Sequence, residues 1–298
     1  MDMAATVKYL PSHEAPSIHT LRVQNPGFAP HPVFWTSKDL SIAKCNFKET
    51  KDNVGNQVSL GAHNDLRTVL AKNLATHIAS TEFEFIKAFK SVDAAHQLVR
   101  EGSPLVGVKG GSPAFYFARR HIHQTETRLY LINKDVPGDR VPLIGYYLYN
   151  VDMLRRKRLK PRPGPNGHYN EPVQRKSDIR LRRMTPNDWR QDPYMVCLLI
   201  SMGHLQWALT TGDSSLAHLL VTNLTDTTHA YIYKANIPPA LFKCLDDPTR
   251  SMGDFDFPTI HYTKVSFEPY ETFSDRILHH LVGAEFLSDF GSGAAGAA

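Results

Sequence analysis

Cysteine is scarce in this chain and long apolar runs are missing, and each shortage closes off a class of protein. Cys45, Cys197 and Cys244 are odd in number and far apart in 298 residues. That spacing fits neither a disulfide framework nor a CxxC zinc site, so packing has to hold the fold. The richest apolar stretch, 194–209, is interrupted by Ser201, Gly203, His204 and Gln206 and falls short of a membrane span. Met1-Asp2-Met3-Ala4 lacks the basic region that leads into the apolar part of a secretory signal. Gly107-Val-Lys-Gly-Gly-Ser-Pro113 lacks the spacing of GxxxxGKS/T and of GxGxxG and reads as a turn rather than a phosphate cradle. Ser103 and Ser201 have no GxSxG surroundings, and no repeat of solenoid length is visible. These absences predict an intracellular protein, cytoplasmic or nuclear, with no membrane partner.

What is present is ordinary globular material, 42% apolar and 21% charged, long enough for a sizeable core. Residues 1–32 hold five prolines and are expected as an extended arm. Segments 33–35 and 42–47 read as strands around the polar Thr36-Ser-Lys-Asp39. Leu66, Val69, Leu70, Leu74 and Ile78 form an amphipathic stripe, and Phe85, Ile86 and Phe89 repeat the spacing, so two or three helices are expected over 63–101. Short β-prone runs at 105–108, 114–118, 129–132 and 143–148, with a turn at Val136-Pro-Gly-Asp139, predict an antiparallel meander. Thr185-Pro-Asn-Asp188 and Asp192-Pro193 carry helix-start signals, and the second opens an apolar helix to about 210. Strands at 217–222, 230–235 and 260–265 and helices at 238–244 and 270–281 complete an α-β-β-α-β-α unit. The expected fold class is α+β. One integrated domain covers 1–290, with N-terminal helices, the central meander and the C-terminal unit, before a linker-like tail at 291–298.

The net charge of +5 is unevenly placed. Between Arg155 and Arg183 stand Arg155, Arg156, Lys157, Arg158, Lys160, Arg162, Arg175, Lys176, Arg180, Arg182 and Arg183, opposed by Glu171 and Asp178. This segment therefore carries +9 and the remainder −4. Its centre, Pro161-Arg-Pro-Gly-Pro-Asn-Gly-His168, is Pro/Gly-rich, which predicts a long exposed basic loop. Such a loop serves solubility, contacts a nucleic-acid backbone by releasing counterions, or acts in part as an import signal through Arg155-Arg-Lys-Arg158. Phe115, Tyr116, Phe117, Tyr146, Tyr147 and Tyr149 lie near these cations in sequence, as single-strand stacking platforms require, although half should face the core.

Other signals are thinner. His121-Ile-His123 on a strand would place two imidazoles on one face, half of a metal site or a pair of surface histidines. Asp254 and Asp256, with Asp246 and Asp247 upstream and His261 and Lys264 downstream, could share a divalent cation for phosphodiester hydrolysis. A solvated loop explains the same acids. Cys197 and His204 lie two helical turns apart, too far for a nucleophile and its base, and read as core.

Asp192-Pro-Tyr-Met-Val-Cys-Leu-Leu-Ile200, Ala217-His-Leu-Leu-Val221, Ala230-Tyr-Ile-Tyr-Lys-Ala-Asn-Ile-Pro238, Phe242 and Asp247-Pro248 carry a resemblance. Through them 189–265 resembles a group of uncharacterised filamentous-fungal proteins, which implies no activity. The α-β-β-α-β order also resembles a restriction-endonuclease-like core. The D…(D/E)xK signature of that core is missing from 217–222 and 230–235, and Tyr262-Thr-Lys264 lacks the acid, which implies an inactive or rearranged site. The leading expectation is a non-catalytic protein that needs no cofactor and binds a polyanion, nucleic acid first, through 155–183. The alternatives are a nuclease-like enzyme using a divalent metal with Asp254, Asp256 and Lys264, and a protein-interaction module whose basic loop meets an acidic protein.

Overall fold

The computed structural model describes residues 15–28, 31–54, 65–100, 103–109, 112–132, 141–210, 214–253, 257–284 and 287. In chain order it builds α1 (Ile18–Gln24), a 3-10 turn (Pro32–Phe34), α2 (Ser37–Ile42), β1 (Phe47–Thr50), α3 (Asp65–Ala79) and α4 (Glu84–Arg100). The strands β2 (Leu105–Gly107), β3 (Ala114–Phe117), β4 (Arg120–Gln124), β5 (Arg128–Ile132) and β6 (Leu143–Tyr149) follow. Next come α5 (Val151–Arg158), α6 (Glu171–Met184), α7 (Pro193–Leu209), β7 (Ser215–Asn223), β8 (His229–Ile237), α8 (Pro239–Asp246), β9 (Ile260–Ser266) and α9 (Tyr270–Val282). The class is α+β.

Seven strands form one mixed sheet in the order β1-β9-β8-β7-β6-β5-β2. The β1–β9 and β6–β7 pairs are parallel and the others antiparallel. The central region is thus not a simple meander, because β3 and β4 leave the sheet to pair as a separate hairpin. Strand alternation feeds two cores. Ala217, Leu219 and Val221 of β7 and Tyr231, Tyr233 and Ala235 of β8 face α7. Leu220 and Ile232, between them in sequence, face α3, α4 and α9.

Over its first three turns helix α7 is apolar on every side because it is covered on every side. Its residues from Pro193 to Gly203 are buried between the sheet and an outer layer made by the β3–β4 hairpin, the 3-10 turn and α8. Two glycines seat it. A Cβ on Gly145 of β6 would lie 2.8 Å from Met202 of α7, and one on Gly203 of α7 would lie 2.8 Å from Ile237 of β8.

Three local expectations give way to capping chemistry. Thr36-Ser-Lys-Asp39 is not a gap between strands. Its Thr36 hydroxyl accepts from the Asp39 N–H while the Asp39 carboxylate accepts from the Thr36 N–H, and this capping box starts α2. Thr185 ends α6 rather than opening a helix, and Asp192-Pro193 supplies the real start of α7. Of the expected arm, 1–14 lie outside the described residues and 18–24 are helical. The tail 291–298 and the turn at 136–139 also lie outside the described residues.

Candidate functional site

The basic segment is not a long loop. It is two helices, α5 and α6, joined by 159–170, which hold a 3-10 turn at Pro165–Gly167. The Pro/Gly centre breaks regular structure only where it stands. Outside it, 151–158 is free of both breakers, and Asn170 caps α6 by accepting from the Val173 N–H. Cations gather at both C-termini, Arg156, Lys157 and Arg158 on α5 and Arg182 and Arg183 on α6, where the helix dipole favours them.

Arg155 does not belong to that surface. Both it and Asp192 are 0% exposed. Its Nη1 and Nη2 donate to Asp192 Oδ2 and Oδ1, each at 2.8 Å, and its Nε donates to the Val33 carbonyl at 3.0 Å. The Tyr149 hydroxyl and the Tyr194 N–H donate to the same carboxylate, each at 2.9 Å. Burial pushes the Asp192 carboxyl up, and the Arg155 guanidinium and the donated hydrogen bonds pull against it. The tie joins the 3-10 turn, α5 and the N-cap of α7.

The ten remaining cations, Arg156, Lys157, Arg158, Lys160, Arg162, Arg175, Lys176, Arg180, Arg182 and Arg183, are all exposed. Among the described residues only Arg175 of the ten is paired with a carboxylate, Glu171, at 2.6 Å. Arg180 lies over the Phe34 ring at 5.2 Å. Leu181 and Met184 anchor α6 from below, so its charged face stays outward.

His121 and His123 do not share a face. Phe115 pairs with His123 and Tyr116 with His121, so β4 carries an extra residue at a bulge, which re-aims its side chains. His121 is exposed and contacts Gln124. His123 is buried against the Tyr194 hydroxyl at 2.6 Å and lies 5.1 Å from the ring of His31. Burial and the neighbouring His31, Arg158 and His121 lower it to about 4, so it is neutral at pH 7. Among the described residues no three His, Cys, Asp or Glu side chains converge to hold a metal ion.

Asp254 and Asp256 lie outside the described residues. Lys264 is on β9 opposite Tyr231, and Asp246 ends α8 with Asp247 capping it. Cys197 is buried against Ser201, and His204 packs in a mutual cluster with Trp207 and Phe242, so both belong to packing. Of the aromatics near the cations, Phe115, Tyr146 and Tyr147 are buried, Phe117 and Tyr149 half-buried and Tyr116 exposed; the adjacent Tyr146 and Tyr147 are both buried because both faces of β6 are covered.

The sequence reading missed a second cluster. His218 of β7 stands opposite Lys234 of β8, and Lys234 opposite His261 of β9, in one row across three strands. The signal was a polar residue interrupting each apolar strand, but its meaning depends on a register that no local pattern reveals.

The chain matches no protein-family model and shows no significant similarity to any curated protein. Among the described residues no helix is long and apolar enough to cross a membrane.

Proposed function

We propose that this is a non-catalytic binding protein whose α5–α6 surface takes a polyanion, with nucleic acid the leading partner and the cytoplasm or nucleus its setting. The observation that carries the reading is the sorting of charge. Ten of eleven clustered cations face solvent and, among the described residues, one of the ten has a carboxylate partner, while the eleventh is withdrawn to fasten α5 to the body. A cationic face of this kind binds phosphate backbones through counterion release, so affinity falls steeply as salt rises.

The test is the binding of single- and double-stranded RNA and DNA over a salt series. Arg156→Ala/Lys157→Ala/Arg158→Ala is expected to weaken binding by about tenfold or more and to flatten the slope of log K against log salt by about 2–3. Binding that ignores salt, or no binding at low salt, overturns the proposal. The nuclease-like alternative rests on Asp254, Asp256 and Lys264, and the described geometry adds nothing to it.

One observation favours a second reading as a protein-interaction module. Phe83, Phe85 and Phe89 are 83%, 81% and 68% exposed at the start of α4. Large apolar side chains exposed close together on a surface mark contact sites for other proteins.

A further inference from the structure

Strands β6 and β7 run parallel, so their C-terminal ends, Tyr149 and Asn223, lie side by side at one edge of the sheet. A cleft of about 320 Å³ opens there, at the lower end of the range of small-molecule sites. It is lined from the start of α4, the start of α5 and a 3-10 turn at Trp189–Gln191. Crevices outside the carboxyl ends of parallel strands are common ligand sites.

Asn223 is the residue that packing does not account for. It is 4% exposed. Its Oδ1 accepts from the Thr225 N–H at 3.0 Å and from the Thr225 hydroxyl at 2.9 Å. A backbone N–H can only donate, so the amide orientation is fixed and Nδ2 is the group left over. Among the described residues Nδ2 has no partner, and it is not sealed in the core, because Asn223 lines the cleft. A nearly buried donor is thus presented to one open space. Asn150, the other amide of the lining, is occupied at both ends by the Tyr147 hydroxyl and the Glu126 carboxylate.

The wall beside Asn223 is aromatic and held in place. The Trp189 ring lies 5.0 Å from that of Tyr149 and 4.9 Å from that of Tyr231. The Tyr149 hydroxyl is tied to Asp192, and the Tyr231 hydroxyl donates to Asp226 at 2.6 Å. Leu148, Met153 and Leu224 add apolar lining, and Glu84 and Asp152 add two carboxylates. Each acid stands in the first turn of its helix, where the helix end carries about half a positive charge. Two carboxylates outweigh two such ends, and no lysine or arginine lines the cleft. Among the described residues neither acid has an ion-pair partner, Arg156 one turn along α5 included; Asp152 meets only the Thr185 hydroxyl, at 3.5 Å.

We infer that this cleft binds a small organic ammonium compound that also carries a carbonyl or hydroxyl oxygen. Carboxylates beside indole and phenol rings suit an ammonium on an apolar body. The free Nδ2 of Asn223 adds the demand for an acceptor on the ligand. The site is separate from the cationic face, since α5 carries its acid in its first turn and its cations in its last.

The test uses the full chain with phenylalaninamide, which has an ammonium, a ring and a carbonyl, as the probe. Two analogues each lack one group: phenethylamine has no carbonyl and hydrocinnamamide no ammonium. Binding is followed through the indole N–H resonances of the three tryptophans, that of Trp189 being assigned by its loss in Trp189→Phe. The expected result is saturable movement of the Trp189 indole, with half-saturation about tenfold weaker for hydrocinnamamide and about threefold weaker for phenethylamine. Glu84→Gln and Asp152→Asn should each weaken the two ammonium probes about threefold and leave hydrocinnamamide unchanged. A static Trp189 indole, equal affinity for phenylalaninamide and hydrocinnamamide, or carboxylate variants that weaken all three probes alike each overturns the site. Equal affinity for phenylalaninamide and phenethylamine overturns the demand for an acceptor. If Asp152→Asn disturbs α5, Glu84→Gln and the three probes on the unaltered chain still decide.

Discussion

Arg155 shows how one residue changes meaning between a string and a fold. In sequence it heads the run Arg155-Arg-Lys-Arg158, with nothing to set it apart from its neighbours. In space it is the one guanidinium of the run with bidentate geometry, and it is wholly enclosed. Removing one member of such a pair strands the other charge in the core, so Arg155→Ala and Asp192→Asn should each cost about 3–5 kcal/mol, read from urea denaturation. Arg156→Ala should cost less than about 0.5 kcal/mol in the same experiment. Equal costs at the two positions would contradict the buried tie. His218 supplies the second residue-scale prediction. Its ordinary value is 6.5 and burial beside the Lys234 charge lowers it to about 4, so between those values the unfolded chain takes up a proton that the folded one refuses. The stabilisation is complete above that window and drains away as pH falls through it. About 2 kcal/mol should be lost between pH 7 and pH 4.5, with His123 adding to the same slope. His218→Gln should flatten the curve, and an unchanged slope in that variant would remove His218 as its source.

At the scale of elements, what was legible followed local chemistry. The stripe on α3, the proline and aspartate that open α7, and the alternation along β7 and β8 each act within a few residues, and each landed within a few residues of its structural bounds. Where the reading failed, a short-range device had been hidden or misassigned. The capping box of α2 looked like a polar spacer. The β3–β4 hairpin turns through Ala118 and Arg119 at φ 51° and 59°, with none of the Asn-Gly pairing that announces such turns. The Pro/Gly centre of the basic segment dominated its flanks, although α5 and α6 contain the charge. This last difference bears on binding. Cations on helices present a fixed spacing, so the α5 triple variant should lower affinity uniformly across nucleic-acid sequences, as backbone contacts do. Competition between random and homopolymeric single strands measures it, and loss confined to one sequence would point to base contacts instead.

Sheet order belongs to the whole molecule, and local patterning carried almost none of it. β1 lies beside β9 although more than two hundred residues separate them, and the row of His218, Lys234 and His261 exists only because β7, β8 and β9 align in one register. The polar row could not be recognised before that alignment was known. The exposed phenylalanines at the start of α4 likewise fitted an amphipathic stripe, and only the finished packing shows that nothing among the described residues covers them. The chain should therefore self-associate as concentration rises. Phe83→Ser/Phe85→Ser/Phe89→Ser should lower the weight-average mass seen by sedimentation equilibrium without lowering Tm, since these rings contribute little to the core. An unchanged mass would leave the patch without a role in self-association.

The parallel pairing of β6 with β7 has a further consequence. Parallel neighbours need a long return path, and here everything from α5 to α7 lies along it. Helix α7, packed along the sheet, makes most of that return, which turns α5, 159–170 and α6 into a detour hung on an existing bridge. Such a detour can lengthen, shorten or exchange its charged residues between lineages while the strands keep their partners, provided the Arg155 rivet at its root survives. The fold thus separates a part free to change in length and charge from a part held fixed by strand pairing.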